Sequence, residues 1–173
     1  MKRLLILLFC TAALLAGCGT DQPKPENPVS FFYPRIEYTF GQADSVIAAE
    51  SREGGNYKAE PEALLNIYLQ GPVSSELRNP FPFGSEITEL RQEEAVLQLV
   101  MNRKFSELSG IELTLACSCL TKTCLTVTEC STVQIIMEDP TSETQRIITM
   151  DSQSLLLIDN IITTTPTETQ EGL

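Results

Sequence analysis

Leu113, Cys117, Leu120, Cys124 and Val127 recur at intervals of four and three through the segment 108 to 127. On a helix of 3.6 residues per turn, that spacing lays apolar side chains along one continuous seam. The segment also reads as two strands. Leu113-Thr114-Leu115 and Leu125-Thr126-Val127 alternate, and Thr and Cys are mediocre helix formers. The strand register fails between them, because Thr121 and Thr123 fall on the apolar side and Leu120 on the polar one. The pattern favours one long helix, and a helix with so continuous a seam must lie against an apolar layer.

The rest of the chain supplies that layer. Ile36, Tyr38 and Phe40 alternate with Glu37 and Thr39, the period of a half-buried strand, and Val46 to Arg52 reads as its neighbour across a turn at 41 to 44. Gly54-Gly55-Asn56 breaks the second strand. Pro61 suits the first turn of a helix and Gly71-Pro72 its end, with Leu64, Ile67 and Tyr68 on one face and Leu65 and Leu69 widening the stripe. Val73 to Ser85 is a loop, with Pro80 and Pro82 around Phe81. Ile87 to Leu90 and Ala95 to Met101 read as strands, and so does Val133 to Met137, which Glu138-Asp139-Pro140 ends. Arg146 to Met150 and Leu155 to Ile158 read as a terminal hairpin. The expected order is ββαββαβββ. The expected fold is α+β: a two-layer sandwich in which two helices cover one face of a mixed sheet.

The N-terminus carries an address. Lys2 and Arg3 precede an apolar run from Leu4 to Leu15 that is too short to span a hydrocarbon core, which needs about 20 apolar residues. It fits the apolar region of a secretory signal. Leu15-Ala16-Gly17-Cys18 then places a cysteine directly after small residues, a tetrapeptide that resembles a bacterial lipoprotein box. Cleavage before Cys18 is expected to leave a lipid-bearing thioether there, and two or more acyl chains make a stable anchor. The stretch Gly19 to Ser30 holds three prolines and almost nothing apolar, so it reads as an extended tether. The expected organisation is a signal over 1–17, a lipidated tether over 18–34, one domain over 35–160 and a disordered Thr- and Glu-rich tail over 161–173. No later stretch reads as a membrane span.

Charge and composition narrow the chemistry. Without Lys2 and Arg3, 10 basic residues face 23 acidic ones, a net charge of −13. That excludes nucleic acid, whose binding needs clustered Lys and Arg. The chain has no histidine and no tryptophan, so Ser–His and Cys–His nucleophile arrangements are excluded. The acidic pairs Glu93-Glu94 and Glu138-Asp139 fall in expected turns, where solvated carboxylates are ordinary. Cys117, Cys119, Cys124 and Cys130 invite a zinc reading, but no Cys-x-x-Cys knuckle is present. Cys117 and Cys124 share the helical seam about 10 Å apart, beyond a disulfide's Cα separation of about 4.4–6.8 Å, and read as small core residues. A disulfide through Cys119 or Cys130 stays open for an extracytoplasmic chain. Phe31-Phe32-Tyr33 reads as packing for the first strand rather than as a sugar platform.

Several stretches together resemble a known family. Ala63-Leu64-Leu65 leads to Leu69-Gln70-Gly71-Pro72, then to Pro82-Phe83-Gly84-Ser85, the strands at 87 and 95, and Phe105, Leu108 and Gly110 before the long helix and the strand at Val133. Over roughly 35 to 138 this resembles the GerMN domain of sporulation and spore-germination lipoproteins. The resemblance implies a helix at 108 to 127 and a βαββαβ core. It also implies no enzymatic activity, no cofactor and no metal. The expected function is a scaffold or interaction module on the outer face of the cytoplasmic membrane. Its expected partners are proteins of envelope or spore assembly, or further copies of the chain. Gly71-Pro72 and Gly84 carry over as backbone features, not as a site. The chain departs from the family in having one module where some members have two, and in the cysteines of its long helix. A glycan-binding or glycan-hydrolysing wall protein, or a thiol or metal sensor, are the alternatives.

Overall fold

The computed structural model describes residues 27–37, 46–57, 59–138 and 144–155. Cys18, the expected signal, Tyr38 to Phe40, Leu156 to Ile158 and the C-terminal tail lie outside the described residues.

The first strand begins earlier than the alternation at Ile36 implies. β1 (Pro28–Pro34) pairs antiparallel with β2 (Ile47–Glu53), with Pro28 opposite Glu53 and Pro34 opposite Ile47. Residues read as the end of the tether are therefore part of the domain, while Ile36 is 56% exposed. Val29, Phe31 and Tyr33 point inward and are buried, and burying three such side chains outweighs the extended freedom of the segment. Pro28 and Pro34 sit at the strand's two ends, where a missing N–H costs the ladder least.

α1 (Pro61–Leu69) carries Pro61 in its first turn, and Gly71 follows its C-cap at φ +106. Only glycine adopts that conformation cheaply, and a Cβ there would also stand 2.8 Å from the Asn79 amide nitrogen. Leu64, Leu65, Tyr68 and Leu69 are buried. Ile67, read from the sequence as part of the stripe, is 50% exposed. At 100° per residue the buried arc is centred between Leu64 and Leu69, and Ile67 falls outside it.

The main sheet has the order β3–β4–β5–β6, formed by Ile87–Glu93, Val96–Met101, Thr132–Glu138 and Gln145–Asp151. β4 and β5 are parallel and the outer pairs antiparallel, so the sheet is mixed as expected. A parallel step needs a crossover. A 3-10 turn at Phe105–Glu107 and α2 (Gly110–Val127) supply it. β6 pairs with β5, and 152–155, which covers most of the expected turn of the terminal hairpin, forms a helical turn, while 156–158 of the hairpin's second strand lie outside the described residues. The Ser154 amide and hydroxyl donate to the Asp151 carboxylate at 2.8 Å, which ends the strand.

Leu97, Leu99, Met101, Val133, Ile135 and Met137 fill the inner face of the sheet. On the outer face the Gln98 amide donates to Gln134 at 3.2 Å. α2 is the helix that the 4-3 seam predicts, and it touches β5 and β6. It also touches β1, and so residues 116–121 are buried without a break. By length and composition α2 is apolar enough to cross a membrane, and this double packing accounts for that apolarity.

β1 has one edge on β2 and turns the other toward α2. That second edge is closed by side chains and loop rather than by a strand. The Phe32 amide donates to Thr123 Oγ1 at 3.0 Å, and Thr126 Oγ1 donates to the Ser30 carbonyl at 3.3 Å. The Tyr68 hydroxyl donates to the Phe32 carbonyl, and the Arg78 amide to the Pro34 carbonyl at 2.9 Å. An otherwise open edge thus leaves few groups unpaired.

Candidate functional site

Cys117, Cys119, Cys124 and Cys130 bear on the metal and redox readings. All four are free and buried. Burial pushes the Cys117 thiol up to about 12, and pushes Cys119 and Cys124 up as well. A thiol held neutral is neither a metal ligand nor a nucleophile. Cys119, expected on a different face from the seam, is buried too, because β1 covers that side. The Cys130 amide donates to the Thr128 hydroxyl oxygen at 3.4 Å, and its sulfur lies 3.0 Å from that oxygen. Among the described residues no group of three or more Cys, Asp or Glu stands close enough to hold a metal ion. Glu93 closes β3 and Glu94 takes the hairpin turn at φ +52, both exposed, while Glu138 is exposed at the end of β5. Asp139 lies outside the described residues.

The segment between α1 and β3 is where the molecule displays something. Its path is pinned at several points. The Glu50 carboxylate accepts the Val73 amide at 3.0 Å and the Ser74 amide at 2.9 Å. Arg52, paired with Glu50, donates to the Gly71 carbonyl at 2.7 Å and lies over the Phe31 ring at 5.3 Å. Burial opposes ionisation of Glu50, but the Ser74 amide, the Arg52 guanidinium and the Val73 amide prevail and hold it below the usual carboxylate range. Further on, Asn79 donates to the Leu69 carbonyl at 3.3 Å and accepts the Phe81 amide at 3.1 Å. The Ser85 amide donates to the Pro82 carbonyl at 3.0 Å, and Asn102 donates to the Gly84 carbonyl at 2.8 Å.

Within this frame two aromatic residues take opposite sides. Phe81 packs inward, 5.2 Å from the Tyr68 ring and 6.2 Å from Phe105. Phe83 is 100% exposed. Gly84, at φ +82, gives the sharp turn that separates Phe83 from the strand to follow. Next to it lies a hollow of about 220 Å³ lined by Arg78, Pro82, Leu108, Glu112 and Leu115 among others. Ile111 and Leu115, four apart, share one face of α2, well round from the seam, and Ile111 is 84% exposed. The sequence reading takes Phe83 only as part of a loop and leaves Ile111 out. The signal in the sequence is the 111–115 pair at helical spacing, in a helix whose seam already explains its apolarity.

A second cleft, about 370 Å³, lies at the C-terminal end of α2. Tyr57, Pro61, Gln92, Thr126, Val127, Thr128 and Glu129 line it.

No family model matches the chain, and no curated protein matches it in sequence. Solved structures match it in fold. The first GerMN domain of the sporulation protein GerM from Bacillus subtilis is similar at a TM-score of 0.52 and 12% identity, over 74% of this chain and 99% of that domain. The tandem GerMN domains of the same protein give a TM-score of 0.48 at 15% identity, over 70% of this chain. The chain spans 42% of that tandem structure. The described domain is thus an α+β domain with a GerMN-like fold.

Proposed function

We propose that the chain is an extracytoplasmic lipoprotein, anchored through Cys18 at the outer face of the cytoplasmic membrane. Its GerMN-like domain is a non-enzymatic interaction module that serves sporulation, spore germination or envelope assembly. The observation that supports the reading is the display of Phe83 on a loop pinned by Glu50, Asn79 and Asn102, beside exposed Ile111. A fully exposed aromatic held in place loses little entropy on docking, and such residues dominate interface energetics. The similar fold of a sporulation protein supports that setting.

Two measurements test the reading. A photo-crosslinking residue placed at Phe83 and at Ile111 in cells should capture a protein or a second copy of the chain, with far less capture from the same residue at Glu94. Equal or absent capture at all three positions would overturn the interaction role. Cys18→Ala should shift the protein from the membrane fraction to the soluble one with its fold unchanged. A variant still retained at the membrane would overturn the anchor.

A further inference from the structure

The cleft at the C-terminal end of α2 has the features of a cation acceptor. α2 runs for 18 residues with no basic residue in its last turn, so no side chain of that turn offsets the negative end of its macrodipole. The Cys124 carbonyl is satisfied by the Thr128 amide at 2.9 Å and hydroxyl at 3.0 Å. Among the described residues none donates to the Leu125, Thr126 or Val127 carbonyls. Of these residues, Thr126 and Val127 line the cleft. Glu129, exposed, adds a carboxylate two residues past the helix. Helix ends more often carry Lys or Arg there, because an acid at this end is unfavourable. Tyr57, half-buried, and Gln92 line the same cleft. Among the described residues no Lys or Arg lines the cleft. Its volume, about 370 Å³, takes one long side chain and the backbone on either side of it.

We infer that this cleft receives a Lys or Arg side chain of a protein partner, its charge on Glu129 and the α2 carbonyls and its stem along Tyr57. The inference rests on the interaction reading above and adds the chemistry of the partner: a basic segment, suited to a chain whose net charge is −11. The aromatic ring and the carboxylate together favour a cation over a neutral group.

The test is an amide-resolved NMR titration of the isotope-labelled full chain with three capped tripeptides, Gly-Lys-Gly, Gly-Arg-Gly and Gly-norleucine-Gly. The Lys and Arg peptides are expected to move the resonances of Tyr57, Gln92 and Thr126 to Glu129. The norleucine peptide should bind about tenfold more weakly, a factor equivalent to 1.4 kcal/mol. Glu129→Gln should weaken the basic peptides by a similar factor, and Glu129→Lys should abolish their effect. Glu129 is exposed, so neither change threatens the fold, and an otherwise unchanged amide spectrum confirms it. Silence at these residues, or equal binding of the norleucine peptide, overturns the inference. So does a stronger response to an N-acetylglucosamine oligomer, which would make the cleft a glycan site. If the peptides fail while Phe83 still captures a partner in cells, the interaction reading stands and only the basic-segment assignment falls.

Discussion

The Tyr33 hydroxyl donates to the Tyr68 carbonyl at 2.7 Å, and the Tyr68 hydroxyl donates back to β1 at the Phe32 carbonyl, also at 2.7 Å. The rings lie 4.8 Å apart. Each phenol thus satisfies a backbone acceptor on the other's element, and β1 and α1 are joined twice through one contact. Tyr68→Phe should destabilise the domain by about 1–3 kcal/mol, the cost of leaving a buried acceptor unpaired. Tyr33→Phe should cost less, about 0.5–1.5 kcal/mol, because the Gly71 amide still donates to the Tyr68 carbonyl at 3.1 Å, and the double variant should cost less than the sum. Urea denaturation measures all three, and strict additivity would separate the two bonds.

Buried thiols and phenols make the fold sensitive to alkali. Burial raises Cys117, Cys119, Cys124, Tyr33 and Tyr68 above their ordinary values. Their protonated forms are favoured in the folded state, so the unfolded chain releases protons first as pH rises. Stability is complete below the ordinary thiol value of 9.0 and should fall as pH climbs toward about 12, where Cys117 ionises in the fold. Melting temperature against pH reads this directly. Replacing Cys117, Cys119 and Cys124 by Ala or Val should flatten the lower part of the decline. Maleimide should label these thiols only after denaturation.

Glu50 gives the opposite dependence at low pH. Its carboxylate is favoured in the fold, so its contribution is present above its ordinary value of 4.5 and is lost as pH falls below it. Glu50→Gln should remove that acid dependence and cost about 1–3 kcal/mol, since two loop amides and Arg52 lose a charged acceptor. The same variant should release Val73 and Ser74 to faster amide exchange while the protection of β4 and β5 is unchanged. Unaltered exchange at Val73 and Ser74 would show that the loop is held by other means.

Thr123 tests the closure of the β1 edge. Thr123→Val keeps the shape of the side chain and removes the acceptor of the Phe32 amide, for an expected loss of about 1–3 kcal/mol. Thr123→Ser should retain most of the stability. Equal stability of the two variants would mean that water replaces the hydroxyl.

Much of the fold is legible in the chain because two periods are clean. Leu97, Leu99 and Met101 alternate, as do Val133, Ile135 and Met137, and both sets are buried on one face. The 4-3 seam of α2 is likewise buried. β1 escapes such reading for a specific reason. Phe32 is apolar on the outward side of its strand, where Lys122 lies 5.0 Å over its ring, so three aromatic residues in a row hide the alternation of Val29, Phe31 and Tyr33. The hydroxyls of α2 mislead in a different way. Ser118 and Thr123 look like a solvent face, yet both are buried, one returning a bond to the Thr114 carbonyl at 2.7 Å and the other accepting from β1. Of the display surface, Pro82-Phe83-Gly84-Ser85 is legible as a distinctive loop. Which of its aromatic neighbours faces out is not, because Phe81 and Phe83 are equivalent until Tyr68 and Phe105 take one of them.

The early start of β1 sets a length. With Cys18 as the proposed anchor, only Gly19 to Asn27 separate the lipid from a strand locked into the domain. At about 3.3–3.6 Å per fully extended residue, the leash reaches about 35 Å, where one ending at Pro34 would reach about 60 Å. A partner for Phe83 must therefore meet the domain within that leash plus the domain's own breadth of the bilayer. A membrane protein or another lipid-anchored chain meets that condition.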